Sequence, residues 1–158
     1  MSKSTSLPRT SARRQPENLA ILLREPFRAI DRRLMERLGE RGHPEVRCAH
    51  GNVFQYLDDD GTRVSLLAER AQVSKQAMAQ LVAHLEAHGY VERVADPRDG
   101  RAKLVRATGR GREVYAVARE VVAEVDAQLT ERLGEAKLRR LRALLAELDA
   151  ALLSADAT

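Results

Sequence analysis

Within residues 62–107 the hydrophobic period switches from helical to strand-like, and no other feature constrains the fold as much. Val64, Leu67, Ala68 and Ala71 fit a two-turn helix with Thr62 or Arg63 near its cap. Gln72 and Val73 follow, too few residues to separate domains. Ser74 then suits the N-cap of a longer helix that runs to His88 and closes at Gly89. Its inward stripe is Ala77, Met78, Leu81, Val82 and Leu85. Two short helices joined so closely predict a helix-turn-helix. Residues 90–94 and 103–107 are β-prone runs around a turn-rich 95–102, which predicts a β-hairpin with a long, charged tip.

The flanks read as helices. Leu19, Leu22, Leu23, Phe27, Ile30, Leu34 and Leu38 recur at helical spacing, and Pro26 either kinks that helix or opens its main part. Gly39 and Gly42 end it. Pro44 is expected to open a second helix with Val46, Ala49, Val53, Phe54 and Leu57 as its buried stripe, stopped at 58–61 by three acids and a glycine. After the hairpin, Thr108 can cap a helix carrying Val114, Val117, Val121, Val125 and Leu129 up to Gly134. A last helix bears Leu138, Leu141, Leu144, Leu145, Leu148 and Leu152, a face wider than one small domain needs, so it is expected to meet a second copy of the chain.

Only 3% of residues are aromatic, so Leu, Val and Ala must build the core, which favours packed helices. No apolar run approaches the ~20 residues of a membrane span. The basic, Ser-rich start has no apolar stretch behind it and is not expected to be a secretory signal. One cysteine excludes an internal disulfide and fits a reducing, cytoplasmic setting. Net charge is +4 over 1–16, −2 over 17–60, +4 over 61–111 and −2 over 112–158. The central positive segment suits a polyanion met by one face of the molecule.

The run from Leu67 to Ala77, its continuation from Leu81 to Arg93, the tip from Asp96 to Arg101, Leu104-Val105 and the 108–111 helix entry together resemble the MarR (multiple antibiotic resistance regulator) family. The resemblance covers roughly residues 19–153. It implies a mainly α fold: a winged helix-turn-helix with a two-stranded β-wing, plus N- and C-terminal helices that form a dimerisation region. The expected organisation is a disordered basic tail (1–16), N-terminal helices (17–60), a DNA-binding lobe (61–107) and C-terminal dimerisation helices (108–158). The resemblance further implies a homodimeric repressor of a palindromic operator, released by a small-molecule effector or an oxidant. In the family the effector sits in a crevice between the helical arms and the winged lobe.

With the inward stripe assigned, Lys75, Gln76, Ala79, Gln80 and Ala83 face outward. Gln76 and Gln80 can each pair bidentately with adenine, Lys75 can reach guanine or a phosphate, and Ala79 can meet a thymine methyl. Ser74 can cap the helix and touch a phosphate. In the wing, Arg101 is the candidate for a narrow minor groove. Arg98 is a backbone candidate, Lys103 and Arg106 are either phosphate contacts or solvated strand residues, and Asp99 resembles the family aspartate that braces the wing arginine. Cys48 allows a redox-sensing alternative if Arg47 and His50 lower its pKa; otherwise it is a passive thiol. His84 and His88 have metal-compatible i, i+4 spacing, but two ligands make no site, so no metal or other cofactor is expected. No nucleophile, paired-carboxylate or phosphate-loop pattern supports an enzyme. A non-specific architectural DNA-binding protein is the other alternative.

Overall fold

The computed structural model describes residues 18–155, so the tail expected at 1–16 lies outside the described residues. Helix α1 spans Leu19–Glu40, with Asn18 Oδ1 accepting the Ile21 N–H at 3.0 Å. It runs through Pro26 instead of starting there. A cap at Asn18 and a continuous apolar stripe on both sides offset the one backbone bond that proline removes.

The second helix departs from expectation. Pro44 lies in a turn, and the chain becomes helical only at a 3-10 turn, Cys48–His50, continuing into α2, Gly51–Phe54. Proline disfavours helical backbone at the residue before it, and here it opens no helix after it. The start is set instead by His50, whose Nδ1 accepts the Arg47 N–H at 3.0 Å. Ala49 is consequently exposed rather than part of a buried stripe. Nor does this helix reach the three acids: Thr62 Oγ1 accepts the Asp58 N–H and donates back to its carboxylate, which holds 58–62 as a closed loop.

The centre follows the predicted order. Helices α3 (Val64–Arg70) and α4 (Lys75–Ala87) form the helix-turn-helix, with Gln72 at φ 53° in the turn. Strands β1 (Val91–Asp96) and β2 (Asp99–Ala107) pair antiparallel from Val91↔Ala107 to Ala95↔Lys103, with an irregularity before Asp96. The expected long tip is thus shortened to a turn at Pro97 and Arg98, because pairing continues to Asp96↔Asp99. Thr62 forms an isolated bridge to β2, exchanging two backbone bonds of 2.9 Å with Val105. Gly61, at φ +102°, permits this: a Cβ there would stand 3.0 Å from Leu104 Cβ and 3.1 Å from Val105 O.

Helices α5 (Gly109–Leu133) and α6 (Glu135–Ala155) complete the chain, with Thr108 Oγ1 capping α5 at Gly111 N. One core joins Leu38, Val53, Phe54, Leu67, Met78, Val82, Leu85, Tyr90, Val91, Val105, Val114 and Val117. It ends before the outer halves of the long helices. Leu19, Leu22, Leu23 and Phe27 of α1 are exposed, as are Leu141, Leu144, Leu145, Leu152 and Leu153 of α6. Among the described residues no helix is long and apolar enough to cross a membrane.

Gly111 packs so closely under β1 that an added Cβ would collide with the Tyr90 carbonyl oxygen. Gly111→Ala is therefore expected to lower the urea-unfolding free energy by about 1–3 kcal/mol, as overpacking does. Gly100→Ala, where a Cβ meets nothing within 4 Å, should leave it nearly unchanged.

Candidate nucleic-acid interface

Ser74 Oγ accepts the Ala77 N–H at 3.1 Å and starts α4 cleanly. Met78, Val82 and Leu85 are then buried, and Lys75, Gln76, Gln80 and Ala83 are exposed on the other face; Ala79 is half-buried at its edge. Gln76 and Gln80 stand one turn apart on this open face.

In the wing, Arg98, Asp99, Arg101 and Lys103 are all exposed. Asp99 braces Arg101 through the backbone: its Oδ1 accepts the Arg101 N–H at 3.2 Å, while Oδ2 lies 3.3 Å from Arg63 Nη2. The Arg101 guanidinium stays open.

The stronger brace is Asp96, which sequence reasoning did not single out. It is buried, with Oδ2 accepting from Arg63 Nε at 2.8 Å and Nη2 at 2.5 Å, and Oδ1 accepting from Arg98 N at 2.9 Å. The Arg98 N–H first, and then Arg63, hold its carboxyl below the usual range. The turn half of this was readable, since an Asp commonly accepts from the N–H two residues on. The Arg63 half joins residues 33 apart and has no local signature.

Charge pairing separates the basic residues of the lobe. Arg63, Arg70, Arg93, Arg106 and Arg110 each reach a carboxylate, so Arg106 is taken up by Glu92. No ion pair among the described residues engages Lys75, Arg98, Arg101 or Lys103. A cation without a carboxylate partner can neutralise a phosphate without first breaking a bond.

His50, His84 and His88 pack against one another. His50 and His84 stack at 4.7 Å and 21°, and the His84 and His88 rings lie tilted by 34° at 4.3 Å. His84 Nε2 donates to Glu45 O at 3.0 Å, and His88 Nδ1 donates to His84 O at 2.8 Å. Stacked rings do not converge on one point. Among the described residues no group of three or more His, Cys, Asp or Glu could hold a metal ion. Cys48 is exposed, but the neighbouring Asp31 carboxylate, and after it partial burial, push its pKa up, opposite to the lowering that a redox sensor needs.

Between α1, the Cys48 turn, α2 and α5 lies a mostly apolar cavity of about 390 Å³. Leu34, Met35, Leu38, Val46, Phe54, Val114 and Val122 line it, and Asp31, Arg47, Cys48 and Gln55 supply polar atoms. Tyr115 closes one side, donating to Phe54 O at 2.7 Å.

Residues 49–102 match the model of the MarR family. The chain is similar in structure to a transcriptional regulator from Thermotoga maritima, at 26% identity and TM-score 0.59, over 88% of this chain and 96% of that one. It shares its fold with MarR of E. coli in the apo form, at 23% identity and TM-score 0.65, over 85% and 98% of the two chains. The MepR-DNA complex of S. aureus shares it too, at 18% identity and TM-score 0.68, over 85% and 98%. No curated protein sequence is similar enough to match.

Burial first, and then His84 and Arg47, push His50 down to about 4 from an ordinary 6.5. The unfolded chain therefore binds a proton that the folded chain refuses between these values. The neutral ring's contribution is complete above pH 6.5 and lost as the pH falls toward about 4. Chemical unfolding should show roughly 3 kcal/mol of acid-dependent loss traceable to this ring. His50→Gln, which can still accept the Arg47 N–H, should show a correspondingly flatter pH profile.

Proposed function

We propose that this chain, a MarR-family winged helix-turn-helix transcription regulator, acts as a homodimer that reads a palindromic operator and leaves it when a small molecule binds. The observation that carries the reading is the open face of α4, with Lys75, Gln76 and Gln80 and no acid before Glu86, beside a wing whose Arg98, Arg101 and Lys103 pair with no carboxylate among the described residues.

Docked in the major groove, α4 presents Gln76 and Gln80 to adenine edges and Lys75 to guanine or a phosphate. Ala79 allows close approach to a thymine methyl, and Ser74 meets the backbone. The wing follows the neighbouring minor groove with Arg101, while Arg98 and Lys103 meet phosphates. Asp99 shapes the turn and avoids the DNA, which its charge would repel. Fold-level likeness to MepR of S. aureus, solved with DNA, supports this docking.

Arms 17–60 and 108–158 supply the dimer. Their exposed leucines have no partner within one lobe and would leave water on pairing two-fold. Two lobes then face two half-sites about one helical turn apart. The cavity between α1, α2 and α5, lined entirely by residues of the two arms, suits an apolar effector with a polar edge, whose binding would change the lobe spacing.

Arg101→Ala should weaken binding to an operator obtained by genomic selection by about 1–3 kcal/mol. Gln80→Ala should relax preference at a single base pair of each half-site. Equal affinity of the native chain for selected and random duplexes would instead identify a non-specific architectural protein. Sedimentation of Leu144→Lys should give monomer with weakened operator binding; an unchanged dimer would remove α6 from the interface.

A further inference from the structure

One basic residue outside the helix-turn-helix and the wing shares the property that marks the expected DNA contacts. Arg47 is exposed, and no carboxylate among the described residues pairs with it. The nearby Glu45 is already taken, by Arg110 at 3.1 Å and Tyr90 Oη at 2.8 Å. With Lys75, Arg98, Arg101 and Lys103, Arg47 completes the set of unpaired cations between His43 and Gly111.

Its position matches its charge. Arg47 and Gln80 line one groove of about 410 Å³ between the 45–50 loop and α4, with His50, Ala77 and His84. That loop is fastened to α4 by the His50–His84 stack and by the His84 bond to Glu45 O. Arg47 is also anchored at its own backbone, where its N–H donates to His50 Nδ1. It is therefore carried at a set distance beside the face expected to read bases. A helix seated in a major groove has a phosphate strand along each flank.

We propose that Arg47 is a third element of the DNA interface, contacting a backbone phosphate on the flank of α4 that faces the 45–50 loop. The proposal rests on the docking described above. The contact positions the recognition helix and reads no sequence.

The test is a salt titration by fluorescence anisotropy on two probes, the selected operator duplex and a random-sequence duplex. Arg47→Ala should weaken binding to both and lower the salt slope by about 1. The native chain's advantage should shrink roughly threefold between about 50 and about 200 mM salt. Arg47→Lys should restore most of the slope, and the preference for operator over random DNA should be unchanged in both variants. Arg32→Ala and Arg140→Ala, on the arms, serve as controls and should behave like the native chain. A slope and affinity unchanged in Arg47→Ala would overturn the proposal, as would a loss no greater than in the arm controls. If the native chain shows no preference for the operator, the specific-regulator reading fails, while the slope on random DNA still decides Arg47.

Discussion

The molecule turns on the contact between Arg110 and Tyr90. Tyr90 is fully buried, its ring lies 4.5 Å under the Arg110 guanidinium, and its hydroxyl donates to Glu45 at 2.8 Å. Arg110 also donates to Glu45 and to the carbonyls of Gly42 and His88. The end of α1, the loop before α2, the end of α4, the start of β1 and the start of α5 thus converge on two side chains. Burial and the Glu45 carboxylate push the Tyr90 hydroxyl up to about 12, so it remains a proton donor at any ordinary pH. The segments that follow α1 and α4 and the start of α5 are thereby tied together at one point.

Around that junction acids and bases are divided by task. Glu45, Asp58, Glu86, Glu92 and Asp96 each hold an arginine in place. Between His43 and Gly111, the cations without a carboxylate partner among the described residues lie on the outer face of α4, along the wing and beside the groove at Gln80. Net charge per segment locates this region coarsely, since paired and unpaired arginines count alike. Only pairing tells a structural arginine from one free for phosphate.

Helices α3 to α5 and the wing were legible because each carries its own punctuation: Ser74 and Thr108 as caps, Gly89 and Gly134 as stops, and a period that switches at Tyr90. The 44–57 segment departs from its local signals because Pro44 looks like a first-turn proline but lies in a turn. What starts the helical turn is a histidine nitrogen three residues after the N–H it accepts, and no propensity encodes that. The wing tip is shorter than its local sequence suggests for a related reason. Asp96 looks like a solvated turn residue until Arg63, distant in sequence, covers it.

Local sequence by itself determined the helices, the turn between α3 and α4, the two strands and which face of α4 stays polar. Each follows from neighbours a few residues apart, through capping, periodicity and steric limits on the backbone. Tertiary structure alone decided which charges are neutralised, where Cys48 finds its acid, how the histidines stack and which cations remain free. Those outcomes depend on groups brought together from distant parts of the chain, where electrostatic energy follows separation in space and not along the sequence.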